Sequence, residues 1–148
     1  MRMCIRLLTA ATTAVVAGAL LTGCSSTPAE KLEDWWSSGG ESSMRALTDT
    51  SGRVNEVSMR PMDVQGPACE ELVAAVAKAK KLDPVPSDNA KDFWTEALAA
   101  FEHGGNECVA GTGKNDQQQA GEGIREVQKG LSRLASAMAM IKSDLESK

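Results

Sequence analysis

Tyrosine is absent from this chain and histidine occurs once, as His103. These gaps remove the side chains that most often move protons near neutral pH, so a catalyst built here would have to rely on carboxylates, amines or thiols. Other aromatics are scarce, with two phenylalanines and three tryptophans. Basic charge is short as well: 16 lysines and arginines face 20 acidic residues. That balance argues against nucleic acid and against adhesion to anionic headgroups. Beyond residue 24 every apolar cluster is broken by charge within a few residues, so no later segment is long enough to span a membrane. No stretch alternates polar and apolar residues as a strand does.

The chemistry that remains is thin. His103 stands beside Gly104-Gly105, where a helix end is expected and a histidine serves as a cap or a solvated cation. The serines have no histidine in a supporting context, and the carboxylates are dispersed over outward helical positions. Gly111-Thr112-Gly113-Lys114 follows no strand and lacks the spacing of a phosphate-binding loop. Met59, Met62, Met138, Met140 and His103 are donors of the kind copper(I) accepts. Against that, Met138 belongs to an apolar seam while Met140 points about 200° away on a helix. A cavity lined by Met44, Met138 and the tryptophans would suit a small apolar ligand. The expectation is a non-enzyme without a cofactor, with carriage of a metal such as copper or of an apolar ligand as the alternative.

What the chain does have is a heptad seam. Ala120, Ile124, Val127, Leu131, Leu134, Met138, Ile141 and Leu145 alternate spacings of four and three, the pattern of a helix packed lengthwise on other helices. Asn115 followed by Gln118 suggests its cap, which predicts a helix over 116–147, roughly 45 Å long. Gly123, Gly130 and Ala137 run beside the seam, where small residues admit a backbone or a bulky ring from a neighbour.

Three further helices are predicted. Thr27-Pro28-Ala29-Glu30 has the form of a capping box, and a stripe through Leu32, Trp36, Gly40, Ser43, Leu47, Thr50, Val54 and Val57 extends the first helix to about residue 59, before Pro61. Gly39-Gly40 predicts a kink in it. After a connector over 62–66, Pro67 suits the first position of a second helix, which Asp83-Pro84 ends. Ser87 or Asp88 caps a third, stopped at Gly104, and 104–114 is a glycine-rich loop. The architecture is all-α: a tapered up-and-down four-helix bundle with two long helices and a shorter helical hairpin. Antiparallel pairing in that hairpin brings Cys69 beside Cys108, predicting a disulfide that staples it.

The first residues give an address. Arg2 and Arg6 precede an apolar stretch over 7–20 that is short for a membrane span and reads as an export signal. The junction Leu21-Thr22-Gly23-Cys24 resembles the lipobox of bacterial lipoproteins. The resemblance implies cleavage before Cys24, acylation of that cysteine with fatty acids such as palmitate, and retention at the extracytoplasmic face of the cell membrane. It covers 24 residues of 148 and carries no activity for the rest. Composition is similar to that of small uncharacterised lipoproteins of high-GC Gram-positive bacteria; a phage-type exclusion lipoprotein is a further alternative for the function. The organisation is then a signal peptide over 1–23, a lipidated tether over 24–27 and a bundle domain over 28–148. Loss of Arg2 and Arg6 leaves 14 basic against 20 acidic residues, a net charge of minus six. The expected partners are the membrane, through Cys24, and an envelope protein or cell-wall component. The expected contact surface is the membrane-distal end, through Arg60, Asp63, Asn106 and Lys114.

Overall fold

The structure, a computed structural model, describes residues 26–147. The signal peptide, Cys24 and residue 25 of the tether lie outside the described residues. The described chain forms an all-α bundle of four helical segments, without strands among those residues: α1 (Pro28–Trp35) and α2 (Glu41–Glu56) joined by a π-turn, then α3 (Met62–Ala79), α4 (Lys91–Lys114) and α5 (Gln117–Glu146). None of these helices is long and apolar enough to cross a membrane.

The capping box forms as expected, with Glu30 N donating to the Thr27 hydroxyl and Thr27 N donating to the Glu30 carboxylate. The kink also falls where two glycines predict it, but it shifts the register. Buried positions run Leu32, Trp35, Gly40, Met44, Leu47, Ser51 and Val54. The five-residue step from Trp35 to Gly40 spans the π-turn. Trp35 therefore replaces Trp36 on the inner face, Met44 replaces Ser43 and Ser51 replaces Thr50. Two glycines are needed for this: a Cβ on Gly40 would lie 2.3 Å from the Trp35 ring, and Gly39 has a φ of 150°. Trp36 remains half-buried against the same core.

Three expected boundaries are corrected. α2 ends at Glu56, short of residue 59. α3 starts at Met62, with Pro67 inside it, because Val64 N and Gln65 N already close a turn on the Pro61 carbonyl. Pro67 then lacks only the bond to Asp63 O. α4 runs through Gly104 and Gly105 to Lys114, so 104–114 is helix and not loop. These glycines serve packing: a Cβ on Gly104 would meet Gly123 O at 2.6 Å, and one on Gly111 would meet Ala120 N at 2.3 Å. Gly123 faces Cys108 N in return, and Gly130 lies under the Phe101 ring. The close approach of α4 and α5 is backbone against backbone. Asn115, left-handed at φ 55°, ends α4, and it is Asp116 that caps α5 by accepting from Gln119 N.

Cys69 and Cys108 are joined, with α-carbons 6.0 Å apart, and both are fully buried between α3 and α4. The hairpin they staple is made of α3 and α4, 18 and 24 residues long against the 30 of α5. The α5 seam supplies the common wall of the core through Ala120, Ile124, Val127, Leu134 and Ile141.

Candidate functional site

The α2–α3 and α4–α5 turns lie at one end of the bundle, where Gly66 approaches Thr112 so closely that a Cβ would stand 3.3 Å from its hydroxyl. Arg60, Asp63 and Lys114 are exposed at this end. Asn106 is exposed too, but eight residues before Lys114 on α4, about 12 Å down the helix. The end therefore gathers three of the four residues expected there. Neither segment is a loosely held loop. The second is the last part of α4, and the first is a tight turn clamped from beneath by Gln65. That side chain is buried, and its amide donates to Ser58 O at 3.2 Å and to Arg60 O at 2.6 Å. The hydrophobic pattern does not single out Gln65, although its position four and seven residues before Cys69 and Leu72 puts it on the inner face of α3.

The opposite end is closed by the α3–α4 connection. Trp35 Nε1 donates to Asp83 O at 2.8 Å, and its ring meets Trp94 edge-on at 5.8 Å between centroids. Ser87 Oγ donates to Asp144 Oδ2 at 2.6 Å and accepts from Ala90 N, so that Ser87 caps the turn over 88–90 that leads into α4, not α4 itself, and ties it to the end of α5. Asn89 Nδ2 adds a second bond to Asp144. Pro28, Ala29, Val85, Ser87, Asp144 and Ser147 border one shallow surface cavity here. Pro28, four residues after Cys24 in the sequence, stands at this end.

The charged side chains pair along open surfaces. Between α4 and α5, His103, Glu107, Glu122, Arg125, Glu126 and Lys129 line a groove. The hydrogen bond from Lys129 is the main cause holding the Glu126 carboxyl below the usual glutamate value. Asp88 is lowered in the same way by a hydrogen bond from Lys91. Arg53 with Glu71, Lys80 with Glu102 and Arg133 with Glu96 form exposed interhelical pairs, each contributing little. Among the described residues no three histidine, cysteine, aspartate or glutamate side chains are grouped to hold a metal. The candidate soft donors are separated: Met59 and Met62 flank Pro61, whereas Met138 is 21 residues into α5, roughly 30 Å along that helix from its start. His103 is exposed in the body of α4, and Met44 is wholly buried in the core. The buried polar side chains are likewise committed, with Ser51 donating to Thr48 O, Gln65 to the turn carbonyls and Ser87 to Asp144.

Comparison with protein families, with curated proteins and with solved structures returns no match.

Proposed function

We propose that this chain is an exported lipoprotein of the cell envelope, held at the extracytoplasmic face of the membrane by acylated Cys24, and that it acts without catalysis by presenting its helical bundle to an envelope protein or cell-wall component. The observation that carries the reading is the disulfide. A fully buried Cys69–Cys108 bond belongs to an oxidising compartment, and it is independent of the lipobox that gives the same address. The start of α1 at Pro28, four residues after Cys24, adds to it, since a short tether keeps the Asp144 end toward the lipid and the turn bearing Arg60 and Asp63 away from it.

Acylation is tested by expressing the full chain in a bacterial host fed labelled palmitate. The label and a mass consistent with a diacylated or triacylated N-terminal Cys24 are expected, and Cys24→Ser should abolish both. A wild-type chain that keeps residues 1–23 and takes up no label would refute the anchor. The presenting surface is tested separately by cross-linking in intact cells. Joint replacement of Arg60, Asp63, Asn106 and Lys114 by alanine should preserve helical content and weaken the cross-link, and an unchanged cross-link would move the surface elsewhere.

A further inference from the structure

Met59 is 94% exposed, far more than any other large apolar side chain among the described residues. The next are Val64 at 41% and Met140 at 38%. The turn beneath it is fixed by groups other than its own side chain, for Gln65 donates to the carbonyls of Ser58 and Arg60, the two residues that flank Met59. Arg60 N also donates to Val57 O at 2.8 Å, closing the turn across it. The thioether is thus held in water by a backbone that gains nothing from it. Met44, by contrast, is wholly buried, and Met62 and Met138 are partly covered.

We propose that Met59 is the oxygen-accepting site of this protein, taking an oxygen atom from hydrogen peroxide before any other described methionine and doing so without loss of the fold. A sulfur lone pair attacks one peroxide oxygen, the O–O bond breaks, and the displaced hydroxide takes the proton to leave as water. The sulfur is oxidised to the sulfoxide and the peroxide is reduced. Two features make Met59 the first target. Peroxide and the water that hydrates the developing S–O dipole both reach it freely, whereas a sulfoxide at Met44 would be a polar group without a partner in the core. The product is tolerated for the same reason, because no core contact and no turn hydrogen bond uses the Met59 side chain. The inference rests on exposure and on the turn, and is independent of the lipid anchor.

The test is a time course of hydrogen peroxide on the full chain as its host processes it, with site-resolved peptide mass spectrometry. The first oxygen added within 26–147 is expected on Met59, followed by Met140, with Met44 last, and the singly oxidised protein should keep the thermal midpoint of the untreated one. Met59→Leu should lose the fastest phase while retaining helical content. Oxidation of Met140, Met62 or Met138 as fast as Met59 would overturn the proposal, as would a fast phase that survives in Met59→Leu. A fall in thermal midpoint on single oxidation at Met59 would overturn its second half.

Discussion

Gly111 and Gly52 both sit in helices, and what faces them differs completely. A Cβ at Gly111 would fall 2.3 Å from the Ala120 backbone nitrogen, while one at Gly52 meets nothing within 4 Å. Gly111→Ala should therefore force α4 and α5 apart and destabilise by about 1–3 kcal/mol, the usual cost of overpacking. Gly52→Ala should stabilise by about 0.5–1 kcal/mol through backbone entropy. Urea midpoints of the two variants check the pair, and equal shifts of the same sign would contradict the packing described. Gly39 belongs with Gly111. Its φ of 150° strains any L side chain, and the Leu82 methyl 3.0 Å from an added Cβ would have to shift.

At the scale of the element, the α5 seam, the capping box and the kink were legible because each is a local pattern read along one helix. The ends of α3 and α4 were not. Gly104-Gly105 looks like a stop when α4 is considered alone, and its purpose appears only when Gly123 and Val127 of α5 are placed against Gly104 and Val73 of α3 against Gly105. The register across the kink was hidden for a related reason: a π-turn adds one residue, so a strict heptad stripe selects Trp36 and Ser43 where the fold buries Trp35 and Met44. The anticipated surface residues followed the same course. Arg60, Asp63 and Lys114 share an end because the helix order demands it, and Asn106 does not because its segment is helix. The disulfide was legible from hairpin geometry, and it sets an element-scale expectation. With its cysteines 39 positions apart in the sequence, its loss in a Cys69→Ala/Cys108→Ala variant should cost roughly 4 kcal/mol on the chain-entropy account. Equilibrium denaturation of the variant against the oxidised wild type measures it. A shift far below that value would mean the α3–α4 hairpin is already ordered in the unfolded chain.

For the whole molecule, the ends are asymmetric. One is tied by Trp35 to Asp83 and by Ser87 and Asn89 to Asp144, beside the start of α1. The other exposes Met59 and Arg60 on a short turn, with Asp63 in the first turn of α3 and Lys114 at the last position of α4. Among the described residues no helix is long and apolar enough to cross a bilayer, and on the function proposed above it is acylated Cys24 that holds the chain at a membrane. Fractionation of cells making the wild-type chain and Cys24→Ala tests that claim most directly, with thiol alkylation of each fraction to report on Cys69 and Cys108. The account predicts wild type in the membrane fraction, resistant to an alkaline wash, and the variant released in soluble form, with the disulfide intact in both. Retention of Cys24→Ala on the membrane, or recovery of wild type from the cytosol with two free thiols, would contradict it.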